Sequence, residues 1–122
     1  MTLPALLWIA LGGAVGSVAR ALIGFALQAR FPWATLLINV VGSFVIGVTL
    51  ARLGAMEPPA AARLQALVAV GFCGGFTTFS TFSYQTVEQM LHGQWGAAVA
   101  NVALSVGLCL AATWLGLRLG HA

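Results

Sequence analysis

The sequence predicts an all-α membrane protein of four transmembrane helices, and three observations carry that prediction. Of 122 residues, 61% are hydrophobic and only 6% are charged, where an average soluble domain has about 25% charged residues. The charges leave four long uncharged runs, at residues 1–19, 31–51, 64–87 and 89–117, and about 20 apolar residues suffice to cross the hydrocarbon core. Short connections carrying proline, glycine and the few charges separate them. A soluble fold of this size has too few polar residues to cover its own surface, so lipid serves as solvent for most of it.

The first helix is expected over residues 3–28, because the apolar pattern continues past Arg20. A cleaved signal peptide fits less well, since the start lacks positive charge and the run contains Gly12, Gly13 and Gly16. After Arg30 and Pro32 a second helix is expected over 33–52. The connection with Glu57, Pro58 and Pro59 leads to a third over 62–88, and His92-Gly93 precedes a fourth over 94–118. Residues before proline are pushed out of the helical region, which places turns at these points. The result is one transmembrane domain over 1–122, with consecutive helices antiparallel.

Tryptophan agrees with this arrangement, because the ring prefers the headgroup level. Trp33 and Trp95 open helices at one face, and Trp8 and Trp114 lie toward the other. Orientation is weakly encoded: Arg52, Arg63 and Arg118 flank one side and Arg30 the other, a bias that permits insertion both ways round. The net charge of +3 does not make a nucleic-acid binder, because the arginines are scattered rather than gathered into a patch. Cys73 and Cys109 lie inside apolar runs, away from any metal-ligand spacing, and read as reduced, small hydrophobic residues.

Function has to come from polar groups placed within the membrane, where they are costly. The chain has no Asp, and neither Glu falls at mid-membrane. Donors stand in the spans instead: Arg20, Asn39, Ser43, Thr77, Thr78, Ser80, Thr81, Ser83, Asn101, Ser105 and Thr113. That set suits an anion. Thr35, Asn39, Ser43 and Gly47 recur every fourth residue in helix 2, and Asn101, Ser105, Cys109 and Thr113 do so in helix 4. The spacing puts each set on a slowly drifting stripe. Such stripes serve either a polar path or interhelical hydrogen bonding, and the spacing alone leaves both open.

Helix 3 holds the strongest signal, Gly71-Phe72-Cys73-Gly74-Gly75-Phe76-Thr77-Thr78-Phe79-Ser80-Thr81-Phe82-Ser83. Paired glycines followed by clustered hydroxyl residues make a poor helix, so a break is expected at 74–78. Irregular backbone at membrane depth persists only where it is buried in protein or lines a cavity, and its freed carbonyls suit a cation. The glycines also suit close helix packing, as Gly71-x-x-x-Gly75 and Gly12-x-x-x-Gly16. Phe79 and Phe82 share one helical face beside the hydroxyls. Their positive ring edges suit a small anion, and their bulk suits ordinary packing.

These residues resemble a known family. The helix 3 segment is similar to the signature of the Fluc (CrcB-type) fluoride channels. Gly12-Gly13-Ala14-Val15-Gly16-x-x-x-Arg20 and Thr35-Leu36-Leu37-Ile38-Asn39-Val40-Val41-Gly42-Ser43-Phe44 resemble its other two motifs. The resemblance covers nearly the whole chain. It implies a dual-topology antiparallel homodimer with two pores in a bacterial plasma (inner) membrane, surrounded by lipid.

By position, the resemblance implies that Phe79 and Phe82 are pore phenylalanines and Asn39 the vestibule asparagine. Ser80 and Thr81 would lie beside the conduction path, Ser105 and Thr113 on a polar track of helix 4, and Arg20 would be the family's helix 1 arginine. Gly74 and Thr77 would hold a structural Na⁺ through main-chain carbonyls at the dimer interface. Two positions depart from the pattern: Gln85 stands where many members carry Glu, and Cys109 interrupts the polar track. The implied activity is passive export of fluoride through a narrow donor-lined path, with no reaction catalysed. The rival reading is a small dual-topology multidrug exporter. Such exporters keep an acid in helix 1, where this chain has only Arg20.

Overall fold

The computed structural model describes all 122 residues and is wholly helical. α1 spans Leu3–Ala26, α2 Trp33–Leu53, α3 Pro58–Leu64, α4 Cys73–Phe76, α5 Phe79–Leu91 and α6 Trp95–His121, with a π-helical stretch at Gln65–Phe72 between α3 and α4. Together α3, the π stretch, α4 and α5 form the third of four helices long and apolar enough to cross a membrane. Leu6, Leu7, Leu11, Val15, Val18 and Leu22 of α1 stay exposed, as expected of a lipid-facing helix.

Local chemistry sets the helix ends. The Thr2 hydroxyl accepts from the Ala5 N–H at 3.3 Å, and Pro4 sits in the first turn, where its missing donor costs nothing. At the other end of α5, Gly93 takes φ +72°, which a residue with a Cβ rarely adopts. Its N–H bonds the Met90 carbonyl at 3.0 Å and that of Gln94 bonds the Gln89 carbonyl at 2.8 Å, a pairing that closes the helix and reverses the chain within a few residues.

Glycine decides which backbones touch. A Cβ on Gly12 or Gly16 of α1 would collide with main-chain oxygens of Leu67 and Phe72, and one on Gly71 or Gly75 would meet those of Ile9 and Gly13. The two small-residue motifs therefore pack on each other. α2 and α6 meet likewise, with Gly47 against Thr113 and Gly116 against Phe44. Lipid supplies no hydrophobic drive between helices, so this close approach and a few hydrogen bonds hold the bundle. Among those bonds, Thr113 Oγ1 donates to the Ser43 carbonyl at 3.1 Å, and Asn101 Nδ2 donates to Thr86 Oγ1 at 2.9 Å.

The third span departs twice from a regular helix. In the π stretch each turn takes an extra residue, and the Cys73 N–H reaches back five residues to the Val68 carbonyl. The true interruption follows α4. Thr77 has φ −80°, ψ 155° and Thr78 has φ −149°, ψ 108°, both extended. The break falls at the threonines, at the far end of the window read from the sequence, and Gly74–Phe76 remain helical. Gly75 is needed for packing against α1, while Thr78 is suited to start a new helix.

Candidate functional site

The break strips several carbonyls of their helical donors, and the new partners of those donors define the site. In an unbroken helix the Thr78 N–H would bond the Gly74 carbonyl. It donates instead to Asn39 Oδ1 at 2.8 Å, and Asn39 Nδ2 donates to the Thr78 carbonyl at 3.2 Å. One side chain from α2 thus pairs both main-chain groups of the residue at the break. The Thr81 N–H, whose helical acceptor would be the Thr77 carbonyl, bonds Thr78 Oγ1 at 3.2 Å and so caps α5. Arg20 Nε donates to the Gly75 carbonyl at 2.9 Å. Buried main-chain groups must find partners, and Asn39, Thr78 and Arg20 answer most of that demand.

Beside the break lies a groove of about 460 Å³ between α2, α4–α5 and α6. Asn39, Phe79, Phe82, Ser105, Gly74 and Thr77 all line it. Phe79 and Phe82 sit with ring centroids 5.5 Å apart at 50°, a tilted pair that presents edges as well as faces. The groove is open: Phe79 is 79% exposed and Gly74 is exposed beside it.

Four residues singled out in the sequence lie elsewhere. Arg20 and Thr81 line a second cavity of about 370 Å³ on the α1 side of the break. Ser80 is exposed, with its Oγ 3.3 Å from Thr78 Oγ1. Thr113 lies deeper between α6 and α2, its hydroxyl given to Ser43. Ser105 does reach the groove, and its hydroxyl donates to Asn101 Oδ1 at 3.4 Å. Both cysteines also line the groove.

Two residues outside the expected site also line the α1-side cavity. Thr35 is only 6% exposed, yet it lines the cavity and its hydroxyl forms no hydrogen bond within the chain. Gln85 stands there too. Thr35 was visible as the first member of the helix 2 stripe. Gln85 stood out only as a departure from a familiar pattern.

A four-span bundle whose third span is broken, with polar side chains and aromatic edges around the break, belongs to the class of membrane proteins that keep polar groups inside their spans. Residues 7–117 match the family described as CrcB-like protein, Camphor Resistance (CrcB). The chain is 53% identical over 117 residues to a protein of Opitutus terrae, covering 90% of this chain and 87% of the other. It is 50% identical over 125 residues to one of Deinococcus radiodurans, covering 98% of each. With a protein of Magnetococcus marinus it shares 46% over 120 residues, 93% of this chain and 95% of the other. All three bear the name fluoride-specific ion channel FluC. The chain belongs to the CrcB family.

Proposed function

We infer that this protein is a fluoride-specific ion channel, a multi-pass protein of the cell membrane that conducts its ion passively and catalyses no reaction. The observation that carries the reading is its match, nearly end to end, to relatives that bear that name. The site is consistent with it. Fluoride is small and strongly hydrated, so a selective path must replace water with donors and bind weakly enough to let go. The groove supplies the second N–H of the Asn39 amide and two phenyl edges, without a fixed charge, while the Ser105 proton goes to Asn101 Oδ1. The exporter reading lacks its main requirement, an acid within the first span.

The working unit is a homodimer. The groove is open along one side and Phe79 is left bare, so a single chain does not enclose a path, and a second copy laid against this face would close it. The antiparallel form is the one the family resemblance implies, and the weak arginine bias, which permits both orientations in one membrane, is compatible with it.

The interface also holds Na⁺. Gly74 and Thr77 fit the role: both face the groove, and the donors that a helix would give their carbonyls are committed to Asn39 and to Thr78 Oγ1. Carbonyls left unpaired in an apolar setting cost several kcal/mol each. A bound cation would offset that cost and raise the local potential for an anion nearby. No carboxylate stands on this part of the chain.

Phe79 and Phe82 orient the ion by their ring edges, Asn39 keeps the break open and offers its amide at the groove wall, and Ser105 lines the same wall. Efflux from liposomes loaded with fluoride, read by a fluoride electrode, tests the assignment. Protein-containing vesicles are expected to empty fluoride rapidly once a counter-ion path is provided while retaining chloride. Vesicles as tight as protein-free controls would refute it.

A further inference from the structure

Serine and threonine inside a helix commonly turn back on their own backbone and donate to the carbonyl four residues earlier. Thr49, Ser83 and Thr86 do so, to Val45, Phe79 and Phe82 at 2.7, 2.9 and 2.8 Å. Ser43 does not. It stands midway along α2, and its hydroxyl has no hydrogen-bond partner in the chain, although its carbonyl accepts from Thr113 Oγ1. An unpaired hydroxyl in an apolar setting is costly, and alanine would avoid that cost while favouring the helix.

The other polar side chains of the groove have partners for most of their protons. Asn39, Ser43, Cys73, Thr77, Ser105 and Cys109 line it. The Thr77 hydroxyl donates to the Cys73 carbonyl at 2.7 Å, the Cys73 thiol to the Gly42 carbonyl at 3.7 Å, and the Ser105 hydroxyl to Asn101 Oδ1 at 3.4 Å. Asn39 gives one N–H to the Thr78 carbonyl and keeps the other. The Cys109 thiol is a weak donor. Two strong side-chain donors therefore remain free, the second N–H of Asn39 and the hydroxyl of Ser43. The Ser43 hydroxyl is also open to the groove: Ser43 is half-buried, and the enclosed side-chain atoms without a partner belong to Gln85 and Gln89 alone, neither of which lines the groove.

We propose that Ser43 is the second donor station of the fluoride path, taking the ion over from the free N–H of Asn39. The proposal rests on the fluoride-channel reading above. Four residues of helix advance about 6 Å and turn by about 40°, so the two donors follow one another along one wall of the same groove. Conduction needs sites that hold the ion and yet release it, and single uncharged donors in sequence meet that need. Ile46, Val106 and Leu110 make the rest of this wall apolar. An ion that has passed Asn39 meets there only the Ser43 hydroxyl and the weak Cys109 thiol. An O–H given to an anion makes a shorter and stronger bond than one given to a neutral acceptor. The attraction falls with distance, so compact fluoride gains more from it than larger chloride does.

Fluoride efflux from liposomes, read by electrode, tests the station with Ser43→Ala, Ser43→Thr and Thr113→Val beside the wild type, together with melting temperature in detergent. Ser43→Ala is expected to lower flux several-fold with the melting temperature unchanged or raised, because the hydroxyl it removes bonds nothing in the chain. Ser43→Thr keeps a hydroxyl and retains most of the flux. Thr113→Val shows the opposite pattern, a lower melting temperature with flux kept, because its hydroxyl is already given to the Ser43 carbonyl. Wild-type flux in Ser43→Ala would overturn the station and leave the channel reading in place. A loss of flux matched by a fall in melting temperature, or Ser43→Thr as impaired as Ser43→Ala, would make Ser43 a packing residue and overturn it equally. A wild type that carries no fluoride would overturn the channel reading beneath it.

Discussion

Where α6 meets its neighbours, its polar residues bond other side chains or an already paired helix; at the break between α4 and α5 the polar side chains bond main-chain groups that have lost their helical partners. Asn101 bonds Thr86, Ser105 bonds Asn101 and Thr113 bonds the Ser43 carbonyl. At the break, the Gly74 and Thr77 carbonyls have lost their helical donors. The two regions look alike in sequence, since both carry polar residues four apart. What separates them is the state of the backbone alongside. An intact helix offers only its side chains, whereas a broken one adds main-chain groups that need answering.

The comparison breaks most visibly at the close-packed seam. Gly116→Val would push a branched side chain into the main chain of Phe44 and Val48 and is expected to cost about 3 kcal/mol or more. Loss of the well-behaved species in size-exclusion chromatography after mild heating would register it. Next in size is Asn39→Ala, which removes both bonds to Thr78 and leaves two main-chain groups unpaired. A stability loss of about 2 kcal/mol is expected, with fluoride flux falling at least tenfold, or about 1.4 kcal/mol in barrier terms. Stability at the wild-type level would mean the amide is not what holds the break.

Phe82→Ile keeps apolar bulk and removes the ring edge, so folding should change by no more than about 1 kcal/mol while flux is largely lost. Equal flux would return the ring to simple packing. The smallest effect is assigned to Thr113→Val. It deletes one hydroxyl bond to Ser43, worth about 1 kcal/mol, and leaves the groove untouched, so efflux should stay close to wild type. A large loss of flux here would place the conduction path deeper along α6 than the open groove.

The four spans were legible because lipid imposes a coarse, local rule: uncharged runs of sufficient length, closed by charges and turn residues. The break was legible as a region, since adjacent glycines and threonines disfavour a helix. Its position within that region was not. Gly75 is claimed by packing against Gly13, and Thr78 is held by Asn39, and neither partner is near in sequence. The π stretch left no signal in the sequence; Gly71 within it packs closely against α1.

The stripes were legible as spacing, and their destinations needed the fold. At 3.6 residues per turn, positions four apart drift by about 40° each step. The helix 2 set therefore swings across three neighbours: Thr35 reaches the Arg20 cavity, Asn39 the break, and Gly47 the α6 seam. Convergence of Asn39, Phe79, Phe82 and Ser105 on one groove needed the folded chain, since they come from three different helices.

The central claim is that the break and its aromatic face form a path for fluoride and not for larger halides. Its most direct measurement is the reversal potential of the purified protein in a planar bilayer, with a tenfold fluoride gradient opposed by an equal and opposite chloride gradient. A fluoride-selective path predicts a potential that follows fluoride alone, close to about 59 mV for a monovalent ion. A potential near zero, or one that follows chloride, would contradict it.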